Sequence, residues 1–192
     1  MRKLLSLFLA LCLLCGAYTL AAAEMDETVY KLMDSPFATF QLRRSFKLLG
    51  EDAGEDYYEG YFRANYSYSM YTDAYYLDRI ELNIMLMLCD TPEAAAELLA
   101  QDMALMLAQE PEGSAYMPLE MEDGTVMQVL VRPGDGFGEP YDCRGVKGNL
   151  VYSIALFLSD SAGESEDREL LIADMVAPLV TSLQVKAEIQ AE

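Results

Sequence analysis

The residue types that most often carry enzymatic chemistry are scarce in this chain. It contains no histidine, and histidine is the commonest general base and the commonest metal ligand. A serine or cysteine nucleophile would therefore lack its usual activating base. Two carboxylates could hydrolyse a glycosidic bond, but the acidic residues cluster in turns that solvent reaches. The sequence therefore predicts a protein that is not an enzyme and uses no cofactor, with a small hydrolase as a remote alternative.

Three acidic loops could offer hard oxygen ligands to a divalent cation such as calcium. None has the alternating acids with a glycine at the sixth position that a calcium-binding loop uses. Solvated turns are the simpler interpretation, so no metal ligand is assigned and a divalent-cation binder stays an alternative. The three loops contain Glu51, Asp52, Glu55 and Asp56; Asp135, Glu139 and Asp142; and Asp160, Glu164, Glu166 and Asp167.

Tyrosine is concentrated in one stretch of the chain. Eight of the 13 tyrosines lie between Tyr57 and Tyr76. Half of them fit the inward rows of the predicted strands, and the other half do not. Outward tyrosines give rigid contact area for a protein partner or a sugar ring, although strand propensity alone also favours tyrosine. The predicted partner or ligand surface consists of Tyr57, Tyr61, Tyr71 and Tyr75.

Composition limits the classes of partner. The chain has 192 residues, with 13 basic and 32 acidic side chains and a formal net charge of −19. A protein that binds nucleic acid usually presents a basic face to the phosphates, so no nucleic-acid partner is predicted. The length favours a single domain, which we place at residues 24–192.

The first 23 residues have the pattern of a secretory signal peptide. Arg2 and Lys3 precede the apolar run Leu4–Leu14, and three alanines end at Ala23. Cleavage after Ala23 removes two positive charges and takes the net charge from −19 to −21. The protein is then secreted or extracytoplasmic, without stable membrane insertion. An uncleaved N-terminal membrane anchor is the main alternative, and a lipoprotein acylated at Cys12 or Cys15 is a third.

Two cysteines remain after cleavage, Cys89 and Cys143. Two cysteines in an exported chain most simply form a disulfide, so we predict a structural Cys89–Cys143 bond. Two separate buried thiols are the alternative.

The hydropathy pattern predicts an antiparallel sheet of about six strands covered by helices, in the order α-βββ-α-βββ-α. A helix over Glu24–Ser35 comes first, followed by strands over Phe37–Leu49, Tyr57–Met70 and Leu77–Cys89. Thr91, Pro92 and Glu93 begin a helix that runs to about Gln109. Two predicted hairpins follow, Met117–Met121 with Val126–Arg132 and Tyr141–Val146 with Leu150–Leu158. A terminal helix over Arg168–Leu183, bent or broken at Pro178, closes the chain.

This order of elements resembles the PsbP-like αβα sandwich. The segments closest to that family are Asn149–Leu158 and Val176–Val185, with the helix that begins Thr91-Pro-Glu-Ala. The resemblance implies an αβα fold and an exported protein, such as those of the bacterial envelope, that binds rather than catalyses. It carries no site residue, because no site motif of the family is present.

These observations predict an exported, acidic α+β protein that acts as a binding or interaction module. A protein partner bound through the outward tyrosines is the first hypothesis. A small ligand or glycan bound by the same tyrosines is the second, and it requires a concave site with polar groups beside the rings.

Overall fold

The computed structural model of the chain describes residues 29–52, 57–58, 60–72, 77–121, 123–133, 141–158 and 175–186. The predicted signal peptide and its cleavage site lie outside these residues. None of the helices in the described ranges is long and apolar enough to cross a membrane.

Strands dominate the secondary structure of these ranges. The helices are α1 (Pro92–Leu107) and α2 (Ala177–Ser182). The strands are β1 (Tyr30–Asp34), β2 (Ala38–Arg43), β3 (Lys47–Asp52), β4 (Tyr57–Tyr58), β5 (Tyr61–Thr72), β6 (Leu77–Cys89), β7 (Ala115–Glu120), β8 (Val126–Val131), β9 (Tyr141–Lys147), β10 (Leu150–Leu158) and β11 (Gln184–Val185).

Two antiparallel sheets form the framework. The large sheet has the order β3-β5-β6-β10-β9-β8-β7, with β4 paired to β5, and the small sheet has the order β1-β2-β11. The small sheet and α2 pack on one face of the large sheet, while α1 packs on the other. The predicted αβα sandwich with three covering helices is therefore wrong, because a second sheet takes the place of helical cover on one face.

The predicted N-terminal helix over Glu24–Ser35 is wrong where the structure describes it. Val29, Leu32 and Met33 have helical spacing, but β1 pairs with β2 along its whole length, from Tyr30 opposite Arg43 to Asp34 opposite Thr39. Met33 packs against the core while Leu32 is 60% exposed, which is the alternation of a strand. Pairing with β2 overrides a weak helical pattern in so short a segment.

The single strand predicted over Phe37–Leu49 is two strands in different sheets. β2 joins the small sheet, a turn at Arg44 and Ser45 follows, and β3 forms an edge of the large sheet. Glu51 and Asp52, which were predicted to lie in an acidic turn, belong to β3, and residues 53–56 of that predicted turn lie outside the described residues. Arg44 interrupts the apolar alternation at the point where the chain changes sheets.

Several other elements are confirmed. The strand predicted over Leu77–Cys89 has those bounds in β6, and β10 lies centrally between β6 and β9. Thr91 caps α1 by accepting a hydrogen bond from the Ala94 amide at 3.1 Å. Both predicted hairpins form, β7 with β8 and β9 with β10.

The terminal helix is only partly described. Of the predicted span Arg168–Leu183, residues 168–174 lie outside the described ranges, and α2 covers Ala177–Ser182. Pro178 lies in the first turn of α2 rather than at a bend. Proline is well tolerated there, because the first amides of a helix have no partner within the helix.

The two faces of the large sheet bury different amounts of apolar surface. The main core lies between the sheets and includes Phe40, Tyr68, Leu82 and Tyr152. A smaller cluster lies under α1 and contains Met87, Cys89, Ala95 and Val151. On α1, Ala95 is fully buried, whereas Leu98, Leu99, Met103 and Met106 are half-buried.

Candidate functional site

Of the four tyrosines predicted to form a partner surface, only Tyr61 has a described side chain. Its half-buried ring stacks on Tyr58, with ring centroids 5.7 Å apart. The guanidinium of Arg63 lies 4.3 Å from the centre of the Tyr58 ring and donates to its hydroxyl at 2.6 Å. Tyr57 and Tyr71 are placed in β4 and β5 by their backbone alone, and Tyr75 lies outside the described residues. The four-residue surface therefore stays a prediction.

The tyrosines predicted to point inward are buried where the structure describes them in β5. Tyr66 and Tyr68 are 5% and 0% exposed, and their rings stack at 6.4 Å. Burial raises the pKa of both hydroxyls, and Tyr152 in β10 behaves in the same way. These neutral phenols pack as core residues.

The structure does not contain the predicted disulfide. Cys89 and Cys143 are both free and buried. Cys89 belongs to the cluster under α1, whereas Cys143 belongs to the core between the sheets, so the two thiols lie on opposite faces of the large sheet. The sequence could not reveal this, because cysteine counting ignores which face each side chain occupies. Burial, and then the nearby Asp142, raises the pKa of Cys143 to about 12.

Both thiols are expected to resist alkylation in the folded protein. A buried thiol with a raised pKa is rarely a thiolate at neutral pH, so iodoacetamide should label neither Cys89 nor Cys143 under native conditions. In urea without any reductant, both should be labelled. Mass spectrometry of the two cysteine peptides checks this, and a linked Cys89–Cys143 peptide from unreduced protein would contradict it.

A polar cluster joins α1 to the large sheet. Arg144 forms a bidentate ion pair with Asp142, with Nη2 2.8 Å from one carboxylate oxygen, and a second ion pair with Asp102 of α1. The Tyr116 hydroxyl donates to Asp142 at 3.1 Å. Arg144 and Asp142 are 4% and 3% exposed. The cluster fixes the helix on the sheet, and its charges are satisfied internally.

A shallow groove lies on the part of the α1 face that the helix does not cover. Its volume is about 270 Å³, close to the lower end of small-molecule sites at roughly 300–1,000 Å³. It has no charged residue in its lining. The lining residues are Asn65, Tyr66, Ser67, Asn83, Ile84, Met85, Ser153 and Ala155.

An exposed apolar patch lies at the other end of the large sheet, on β7 and β8. Met117, Leu119 and Val131 are 54%, 41% and 44% exposed. Met117 pairs with Val129 and Leu119 with Met127, so these side chains share one face. Met127 is fully buried and Val129 packs against the core. The apolar face of the core therefore continues outward into solvent as the β7–β8 patch, defined by Met117, Leu119 and Val131.

The sequence pattern of the hairpin also indicated the β7–β8 patch, although the partner surface was predicted at the tyrosines. The first strand of the predicted hairpin alternates apolar and other residues, with Met117 and Leu119 on the same side, which predicts one buried face. Only the structure shows that, among the described residues, the small sheet and α2 leave part of this face exposed.

The acidic loops do not form a metal site in the part of the chain that the structure describes. No group of three or more aspartates, glutamates or cysteines converges there. Most members of the two later loops, including Asp135, Glu139 and Asp160, lie outside those residues.

Comparison with known proteins gives no family assignment. No protein-family model matches the sequence, and no curated protein matches it at a significant level. The resemblance to the PsbP-like family therefore rests on the sequence alone, and the αβα sandwich that it implied is not the fold observed.

Proposed function

We propose that this protein is an exported, non-catalytic interaction module that binds a protein partner through the β7–β8 patch. The observation that carries the proposal is the exposure of Met117, Leu119 and Val131 on one face of a rigid hairpin. Scattered apolar residues on a surface are ordinary, whereas a contiguous patch is typical of an interaction site. Export rests on the pattern of residues 1–23.

The chemistry of the rest of the described surface supports binding rather than catalysis. The most deeply buried charged groups, Arg144 and Asp142, neutralise each other. No reactive group lines the groove. Methionine is well suited to a docking surface, because its flexible thioether adapts to the shape of a partner.

A small neutral ligand in the groove is the second candidate function. Amide and hydroxyl groups from Asn65, Ser67, Asn83 and Ser153 line it without any charge, and such groups pair well with sugar hydroxyls. The aromatic residue in its lining is Tyr66, which is 5% exposed, and its described lining includes none of the four tyrosines predicted from the sequence.

Site-specific photocrosslinking tests the proposed function. The full chain, expressed with its own leader, carries the photoreactive amino acid benzoylphenylalanine at Met117, at Tyr61 or at Leu105. We expect a discrete crosslinked product from position 117, because a docked partner lies within reach of that side chain. Leu105 is the matched control, since it is 65% exposed on α1 and has no part in the patch. Denaturing electrophoresis and peptide mapping identify the product.

Three outcomes would overturn the β7–β8 patch as the docking site. Crosslinking from Tyr61 alone would indicate that the tyrosines, and not the β7–β8 patch, form the docking site. Equal crosslinking from Leu105 would show a non-specific encounter. An absence of products at every position would favour the groove, and neutral oligosaccharides would then be the probes in a thermal-shift assay.

A further inference from the structure

We infer that the β7–β8 patch receives a cationic amphipathic helix of the partner, which lies across the face of the hairpin instead of adding a strand to its edge. This inference rests on the proposed function and specifies the chemistry of the partner. Three features of the described residues carry it: the edge of β7, the charge around the patch, and the spacing of the apolar side chains.

The edge of β7 is poorly suited to accept another strand. The Met121 amide donates to the Thr125 carbonyl at 2.8 Å at the end of the hairpin. Hydrogen-bonded and non-bonded pairs alternate along an antiparallel ladder, so the pair of Pro118 and Gln128 is a non-bonded one. The backbone nitrogen of Pro118 therefore faces the open edge, where proline has no hydrogen to donate. Proline at such a position protects a sheet edge against strand addition.

The charge around the patch selects a basic partner. Glu112 and Asp123 are exposed in the turns at the two ends of β7. Arg132 is engaged by Glu110 in an ion pair with both side chains about nine-tenths buried. Lys147, whose charge acts on Asp123, donates to the Val180 and Thr181 carbonyls of α2. The chain as a whole carries a net charge of −19. Complementary positive charge on a partner would steer it to this surface and raise its association rate.

The same charge argues against the two other occupants of an apolar patch. A second copy of the chain would bring acidic residues against acidic residues, which is unfavourable. A membrane rich in anionic lipids has a negative surface potential and would repel the acidic rim. A basic amphipathic polypeptide is the occupant that makes favourable contacts with both the apolar patch and the acidic residues around it.

The spacing of the patch matches one face of a helix. Met117 and Leu119 lie two residues apart on β7, a separation of about 7 Å along the strand. On a helix, the Cβ atoms of apolar residues three or four positions apart are separated by about 5–6 Å. A helix lying on the hairpin can therefore place successive apolar side chains against Met117 and Leu119, with its basic residues directed to the acidic rim.

Binding of designed peptides to the full chain tests the inference. The probe is a fluorescein-labelled amphipathic helix about five turns long, with leucine on one face and lysine on the other. A matched peptide carries glutamate in place of lysine. We expect the lysine peptide to bind at least about 10-fold more tightly, with the difference shrinking as salt rises from about 50 to 500 mM. Fluorescence anisotropy gives both affinities.

Matched variants of the protein separate the apolar and the charged contributions. Met117→Ser/Leu119→Ser should weaken binding of the lysine peptide about 10-fold or more, while Leu105→Ser leaves it unchanged. Glu112→Gln/Asp123→Asn should weaken it only at low salt. Pro118→Ala restores the missing amide, and it should not change the affinity if the partner binds to the face of the hairpin.

Specific results would overturn the inference. Equal binding of the lysine and glutamate peptides would remove the charge argument, and tighter binding by Pro118→Ala would indicate strand addition. A dimer in analytical ultracentrifugation that Met117→Ser/Leu119→Ser abolishes would make a second copy the occupant, and binding to anionic vesicles would make it a membrane. If position 117 still crosslinks a partner in any of these cases, the proposed function survives and only the chemistry assigned to the partner fails.

Discussion

Gly145→Ala is expected to destabilise the protein by about 3 kcal/mol, near the upper end of the usual overpacking cost. A β-carbon added at Gly145 would lie 2.2 Å from the hydroxyl oxygen of Tyr152 and 2.5 Å from the ring carbon that bears it. Tyr152 is fully buried in the core between the sheets, so its ring cannot withdraw into solvent. Because β9 and β10 pair across this position, relief requires a shift of the central ladder. Urea unfolding followed by circular dichroism measures the loss.

Gly50→Ala is the matched control for this prediction. Gly50 also lies in a strand, and an added β-carbon there would meet nothing within 4 Å, so its effect should stay within about 0.5 kcal/mol. The double variant Gly145→Ala/Tyr152→Leu should lose less stability than the two single changes added together, because removing the ring makes room for the new methyl group. Equal stability of Gly145→Ala and Gly50→Ala would show that the close approach of the Tyr152 ring to Gly145 does not affect stability.

The sequence predicts local pairings well because alternation and turn chemistry act over a few residues. β6, both later hairpins and the cap of α1 were all predicted from the sequence and are present in the structure. Gly124, with a φ of +80°, supports the predicted hairpin turn between β7 and β8, since glycine adopts positive φ without strain. Each of these predictions depends only on residues within the segment itself.

Features that depend on distant segments were beyond the sequence. The small sheet is the clearest case: β1 and β2 are neighbours in the chain, but β11, which pairs with the other side of β2, comes from the far end of the chain. The same limit applies to the candidate site. The sequence identifies Met117 and Leu119 as one face of a strand, but only the positions of the small sheet and α2 decide that this face stays uncovered.

Arg144→Met is expected to cost about 3–5 kcal/mol, the range observed when one partner of a buried ion pair is removed. The change leaves the Asp142 carboxylate 3% exposed without its cation, and it also removes the partner of Asp102 on α1. Only the Tyr116 hydroxyl would still donate a described hydrogen bond to Asp142. The free energy of unfolding at pH 7, from urea titration, gives the loss.

Two further variants test whether the loss comes from a buried uncompensated charge. Lys186→Met breaks the exposed ion pair with Asp34, whose partners are 39% and 72% exposed, and it should cost no more than about 0.5 kcal/mol because solvent screens such pairs. Arg144→Met/Asp142→Asn removes the stranded charge and keeps an acceptor for Tyr116, so it should recover most of the stability. If the double variant is as unstable as Arg144→Met, lost packing of the long arginine side chain under α1 explains the effect instead. Recovery would instead establish that the loss in Arg144→Met comes from the buried Asp142 charge that is left without a cation.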